Sequence, residues 1–141
     1  MNINPVPTLF PLLGMAALVL MVWLRLYVER VGEMRARKIN PQKIATALQS
    51  ATVLQRTQSA DNFRNLFEMP VLFYVLVLAA HVSISVPPGF TALAWAYVAL
   101  RAAHSWIHCT YNRVMHRFIA YLFSALALWV LWGWLAWLWI Q

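Results

Sequence analysis

All eleven Lys and Arg residues lie between Arg25 and Arg117, eight of them from 25 to 64 and three from 101 to 117, and the segments 1–24, 65–100 and 118–141 carry none. Basic residues held in blocks between apolar stretches are the positive-inside signature of a membrane protein, whose Lys and Arg stay with the cytoplasmic loops and face anionic headgroups. Composition agrees. With 62% hydrophobic and 11% charged residues, against roughly 45 to 50% and about 25% in a soluble domain, the chain has too few polar side chains to cover a soluble surface. This argues against a soluble enzyme, a disordered chain and an ordinary nucleic-acid-binding domain, so no nucleic acid is expected as a partner despite the formal charge of +7. The single Cys109 excludes an intramolecular disulfide and any CxxC motif.

A helix needs about 20 residues, at 1.5 Å each, to cross about 30 Å of hydrocarbon. Four stretches qualify: Leu9 to Val28, broken only by Arg25; Met69 to Val86, ended by Val86-Pro87-Pro88-Gly89; Phe90 to about Ile107, containing Arg101; and the charge-free Phe118 to Ile140. Trp129, Trp132, Trp134, Trp137 and Trp139 gather toward the end of the last one, as in an interfacial aromatic belt. The expected fold class is therefore all-α, an integral membrane four-helix bundle made by one domain over 1–141. Its spans run over about 9–28, 69–86, 90–107 and 118–140, with a basic cytoplasmic loop at 29–64. Loops 1 and 3 are then cytoplasmic and both termini lie outside. Met1 to Leu24 has no positive n-region and contains Pro5, Pro7 and Pro11, so the first stretch reads as a retained span rather than a signal peptide. In the first loop, Asn40-Pro41 is a helix-start signal, and Ile44, Leu48, Ala51 and Leu54 recur at helical spacing. An amphipathic helix over 41–56 is expected there, lying at the headgroups or against the bundle.

Ionisable groups inside a membrane are costly, so their depth carries information. Counted at 1.5 Å per residue from each span's outer end, Arg25, Glu68, Arg101, His104, His108 and Tyr121 lie roughly 18 to 28 Å in, all in the cytoplasmic half. Asp61, Asn65 and Glu68 follow i, i+4, i+7 spacing, and Arg101, His104, His108 and Tyr111 follow i, i+3, i+7, i+10; each set forms one helical stripe. Arg101 is the deepest charge and should seek Glu68 or a bound anion. Arg25 reads either as a snorkelling residue or as an anion ligand, and Arg113 and Arg117 either as positive-inside residues or as part of the site. Arg64 and Glu68 have the spacing of an interfacial ion pair, and Cys109 reads as a small buried hydrophobe. His104-x-x-x-His108 has the spacing of two zinc ligands on a helix, yet two ligands do not make a site, and no metal is expected. GxSxG, P-loop, HExxH and Gly-rich nucleotide signatures are all missing from a chain with only four Gly.

Asn65-Leu66-Phe67-Glu68-Met69-Pro70 at the start of the second span and Leu100-Arg101-Ala102-Ala103-His104 in the third, in a chain of four spans, resemble the membrane-associated proteins in eicosanoid and glutathione metabolism (MAPEG). The resemblance covers most of the chain. It implies a homotrimer with glutathione as co-substrate, bound between subunits near the cytoplasmic side. It also implies an enzyme that conjugates the thiol to lipophilic electrophiles, reduces lipid hydroperoxides or isomerises lipid mediators. On the matching positions, Asn65 and Glu68 would contact the tripeptide backbone and amino group, and Arg101 is the basic residue of the third span. His104 and His108 occupy places where family enzymes have His or Tyr. Arg117, or less directly Arg113, would stabilise the thiolate. Arg25 would bind a carboxylate, and Tyr111 extends the substrate-binding set. Lowering a thiol pKa from about 8.5 by two units takes roughly 2.7 kcal/mol, and one Arg at contact in an effective dielectric near 20 supplies about 4 kcal/mol before desolvation.

Two positions depart from the family pattern: Asp61 stands where family enzymes commonly carry Arg, and His108 replaces a Tyr of the third span. The leading expectation is a glutathione-dependent transferase or peroxidase acting on hydrophobic small molecules delivered through the lipid. The alternatives are a non-catalytic member binding a lipid, another anion or a protein partner, and a metal or haem redox protein built on His104 and His108. The charge pattern fits a bacterial inner membrane best.

Overall fold

The computed structural model describes residues 6–83 and 86–141, and among these every regular element is helical. A 3-10 turn over Val6–Leu9 leads into α1 (Phe10–Ala36), which opens with Pro11 in its first turn, where the missing N–H costs nothing. It closes in a Schellman arrangement: Ile39 N–H reaches Met34 O at 2.9 Å and Lys38 N–H reaches Arg35 O at 3.4 Å, with Lys38 in the left-handed region at φ 52°. At 27 residues, or about 40 Å, α1 outruns the expected span of 9–28 and continues through Glu29 and Glu33.

The helix expected over 41–56 is divided in two. Pro41–Ile44 is a 3-10 turn capped by Asn40, and α2 (Ala47–Val53) starts afresh at Thr46, whose side chain and that of Gln49 form a capping box. Thr46 caps only from an extended backbone (φ −112°, ψ 161°), which breaks the helical run. The first loop also contains α3 (Gln58–Asn65), followed by a turn at 66–68 and then α4 (Met69–Ser83). Pro70 explains the break, because it has no N–H to offer the Leu66 carbonyl. Asp61, Asn65 and Glu68 therefore do not share one continuous helix. The 15 residues of α4 reach only about 22 Å, and it is the whole stretch Gln58–Ser83 that is long and apolar enough to cross a membrane. The expected end of this span at Val86 runs through 84 and 85, which lie outside the described residues.

After Pro87 come α5 (Pro88–Cys109) and α6 (Val114–Ile140). Three stretches among the described residues are long and apolar enough to cross a membrane: Pro7–Ala36, Gln58–Ser83 and Val114–Ile140. The fourth expected span, 90–107, corresponds to α5, which does not reach that apolarity; it is the helix that carries Arg101, His104 and His108.

α5 packs along α6 on one side and against α1 and α3 on the other, and α4 lies along α6. Buried residues fall at helical spacing on each: Met15, Leu18 and Val22 of α1, Phe73, Leu76, Val77 and Ala80 of α4, and Leu128, Leu131 and Leu135 of α6. Phe73 stacks on Tyr97 at 4.3 Å between ring centroids. Only 22%, 33% and 28% of the three apolar windows is buried within the chain, so most of their surface is left for lipid or other copies. Lipid is as apolar as Leu, so close fit rather than hydrophobicity selects the helix pairing. Gly14 shows this, since a Cβ there would stand 2.9 Å from Trp95 Cζ3 and 3.1 Å from Val98 Cγ1 of α5.

The first loop is fastened to α1 by Glu33, whose carboxylate accepts hydrogen bonds from the main-chain N–H of Gln55 (2.7 Å) and Arg56 (3.1 Å) and from Arg37 Nη1 (2.6 Å). Arg37 also donates to the Val53 carbonyl at 2.9 Å.

Gly14→Leu should push α1 away from α5 and destabilise the protein by about 1 to 3 kcal/mol. The thermal midpoint in detergent measures this, and the penalty should shrink when Trp95 is also cut to Ala.

Candidate functional site

Among the described residues Arg101 is one of the largest fully buried side chains, at 0% exposure. A buried guanidinium needs acceptors, and the break between α3 and α4 supplies them. Asn65 is the last residue of α3, and further along the chain its carbonyl meets only the Glu68 N–H, in a long bond of 3.4 Å. Its main-chain oxygen accepts from Arg101 Nη2 at 3.3 Å and its side-chain Oδ1 at 2.6 Å. Asn65 Nδ2 in turn donates to Glu68 Oε2 at 2.8 Å. The expected meeting of Arg101 with Glu68 is thus indirect: the amide of Asn65 stands between cation and carboxylate. On its other side the Arg101 guanidinium lies 5.8 Å from the centre of the Tyr121 ring, a cation–π arrangement with α6.

Five further polar atoms on the same helix are buried with no hydrogen-bond partner: Tyr97 Oη, Arg101 Nε and Nη1, His104 Nε2 and His108 Nδ1. Their residues follow i, i+4, i+7, i+11 spacing, a single stripe along α5. Native proteins pair nearly all such atoms, and here the unpaired ones line up along one face of α5. His104 Nδ1 lies 2.8 Å from the Arg117 carbonyl oxygen. A carbonyl can only accept, so Nδ1 carries the proton, and in the neutral imidazole Nε2 then presents a lone pair. The stripe therefore offers N–H donors at Arg101, an acceptor at His104, a hydroxyl at Tyr97 and a second imidazole at His108. The two imidazoles meet edge to face, 5.6 Å apart.

Arg117 reaches this group from the start of α6. Asn112, left-handed at φ 48°, turns the chain after α5, and its Oδ1 accepts from Arg117 Nη1 at 2.7 Å. Asn65, Glu68, Arg101, His104, His108 and Arg117 are thus brought to the junction of α3, α4, α5 and α6. Three expected members lie apart. Arg25 pairs with Glu29 at 2.8 Å and donates through Nη2 to the carbonyl of Cys109, so it caps the end of α5 from α1. Tyr111 is exposed and lies 3.3 Å from His116 Nδ1, and Arg113 is the exposed N-cap residue of α6. Arg64 lies 4.0 Å from Asp61, with both exposed, in place of the Glu68 pairing that its spacing suggested. Among the described residues no three of His, Cys, Asp and Glu come together as metal ligands.

Tyr97 was not legible as a site residue, although extending the Arg101 stripe back by one turn would have reached it. The seam between α3 and its neighbours was also missed. Ser59, Asn62 and Asn65 fall three apart and each bonds a different partner. Ser59 Oγ donates to Glu29 Oε2 at 2.6 Å, and the fully buried Asn62 donates to Cys109 Sγ at 3.3 Å and accepts from Ser105 Oγ at 3.3 Å. Cys109 is buried as expected, and it also serves as a hydrogen-bond acceptor.

Comparison with curated proteins and with solved structures gives no match. The sequence profile of the MAPEG family matches residues 8–137, a stretch that takes in every residue of the junction just described. The chain belongs to the MAPEG family.

Proposed function

We propose that the protein is a glutathione-dependent membrane transferase or peroxidase acting on lipophilic electrophiles or lipid hydroperoxides. The observation that carries this reading is the stripe of unpaired polar atoms around buried Arg101. A tripeptide with two carboxylates, an amino group and two amides offers the acceptors and donors that such a stripe needs, and Glu68 beside Asn65 suits an ammonium group. Arg101, Asn65 and Glu68 hold the peptide, with His104 and His108 along its length. Arg117 is the residue we assign to the thiolate. Among the described residues only its Nη1 is engaged by a side chain, so the rest of the guanidinium is left to face sulfur. Electrostatic stabilisation by one cation is enough for the chemistry. The thiolate attacks the electrophilic carbon and expels the leaving group, or attacks the terminal peroxide oxygen, breaking the O–O bond so that the alcohol leaves with a proton from water and glutathione sulfenic acid remains, which a second glutathione converts to the disulfide and water.

In the assembly we propose, α1, the α3–α4 stretch, α5 and α6 all cross the membrane, loops 1 and 3 are cytoplasmic and three chains associate, in a bacterial inner membrane. The 22 residues of α5 extend about 33 Å, long enough to cross, and its polar stripe is buried against neighbours rather than lipid. The trimer and Arg25 as a carboxylate ligand of a neighbouring subunit's peptide rest on the family resemblance.

A second reading is favoured by one residue. Asp61 stands on exposed α3 surface one turn before Asn65, where it would repel a carboxylate, which fits a member that has exchanged glutathione for another ligand. A glutathione titration of purified protein, followed by thiolate absorbance and thermal shift, separates the two. A saturable thiolate signal in the wild type supports the enzyme. Binding gained only in Asp61→Arg supports the second reading.

Arg117→Ala should abolish turnover while glutathione still protects against heat, and unchanged turnover would remove Arg117 from the mechanism. Asn65→Ala removes the side-chain acceptor from a buried cation and should cost about 3 kcal/mol, read as a lower thermal midpoint without ligand.

A further inference from the structure

We propose that Asn112 is a positioning residue for Arg117, holding its guanidinium from the end of α5 through an acceptor that carries no charge. This role rests on the assignment of Arg117 to the thiolate. Arg117 belongs to α6, yet both its main chain and its side chain are fixed to α5. Its main-chain oxygen accepts from His104 Nδ1 at 2.8 Å, and its Nη1 donates to Asn112 Oδ1 at 2.7 Å. Asn112 is itself tied to α5, because its N–H reaches the carbonyl of Ile107, in the last turn of that helix, at 2.8 Å. It stands at φ 48°, in the left-handed region that Asn tolerates better than most residues with a side chain. Asn at this position supplies the turn and the acceptor together, whereas Gly supplies the turn alone. The guanidinium is planar, so one fixed nitrogen directs the other donors.

The kind of acceptor sets the junction apart from the first helix. Arg25 and Arg37 each donate to a carboxylate, Glu29 at 2.8 Å and Glu33 at 2.6 Å, so their charge is offset within the chain. Arg101 and Arg117 instead donate to amide oxygens, Asn65 Oδ1 at 2.6 Å and Asn112 Oδ1 at 2.7 Å. An amide fixes a guanidinium without cancelling its charge, and distance then decides how much of that charge a sulfur feels. Attraction between unit charges falls as the inverse of their separation, so a guanidinium that swings from about 4 to about 8 Å loses half of it. A carboxylate in place of the amide would keep the geometry and offset part of the field.

The test is a pH titration of glutathione thiolate absorbance on full-length protein in detergent, at a glutathione concentration that saturates the thermal shift. In Asn112→Gly the midpoint should rise by about one unit, a tenfold loss of thiolate at a fixed pH below it, while the glutathione concentration giving half the thermal shift stays nearly the same. Asn112→Asp keeps the turn and the acceptor but adds a negative charge, and its midpoint should rise as well. In an Arg117→Ala background Asn112→Gly should add nothing; Arg101, His104, His108 and Asp61 are common to both backgrounds, so their own titration cancels. A wild type with no saturable thiolate signal would overturn the glutathione reading and the role of Asn112 with it. A wild-type thiolate whose midpoint Asn112→Gly leaves in place overturns the role of Asn112 alone, as does an equal shift in the Arg117→Ala background. If Asn112→Gly loses the fold and Asn112→Asp titrates like wild type, Asn112 serves the turn only and the positioning role is wrong.

Discussion

The contact between Arg101 and Asn65 is the constraint on which the other arrangements depend. A guanidinium with no exposure to solvent survives only where acceptors are fixed beside it, and both acceptors here come from the residue at which α3 ends. That end is imposed by Pro70, which stops the α3–α4 stretch from running as one helix. The break in the span and the burial of the cation thus have one origin. In place of the Met69 N–H that a straight helix through 58–83 would offer it, the Asn65 carbonyl takes the Glu68 N–H at 3.4 Å and Arg101 Nη2 at 3.3 Å.

Further contacts hold α3 at the height where this can happen. Glu29 on α1 takes the Ser59 hydroxyl, Asn62 bridges to Ser105 and Cys109 on α5, and Arg25 caps the Cys109 carbonyl. In a hydrocarbon setting such bonds contribute modestly each; their effect is on register. A shift of α3 by one residue would carry Ser59, Asn62 and Asn65 away from all three partners together. The apolar faces cannot supply that specificity, because Leu against Leu packs nearly as well one turn away.

Much of this was legible in the sequence because membranes simplify the reading. Apolar length and the placement of Lys and Arg located α1, α4, α5 and α6, and the rarity of charge in the spans drew attention to Glu68, Arg101 and His104. The finer structure was hidden where local chemistry competes with periodicity. Apolar spacing over 41–56 pointed to one helix, but Thr46 caps a new start and divides it. Depth also called for Glu68 or a bound anion beside Arg101, whereas an amide three residues from Glu68 offered a better acceptor than an exposed carboxylate. Arg25 has the depth of a site residue, yet the side chain turns to the nearest unpaired helix carbonyl. Depth is a one-dimensional coordinate, and the side of α5 from which a residue approaches had to come from the structure.

The four carboxylates show which position is free to follow ligand chemistry. Glu33 fastens the first loop to α1, Glu29 anchors α3 and the Arg25 cap, and Glu68 completes the chain from Arg101 through Asn65. Changing any of the three alters the frame as well as the site. Asp61 is different: it is half exposed, its ion-pair partner is Arg64 at 4.0 Å, an exposed pair worth little, and its charge also acts on His108 of the α5 stripe. Since it stands one turn from Asn65, its charge acts on whatever anion approaches Arg101 while leaving the frame alone. If two chains share this fold and differ at position 61, their ligands can differ without any change in how the helices pack.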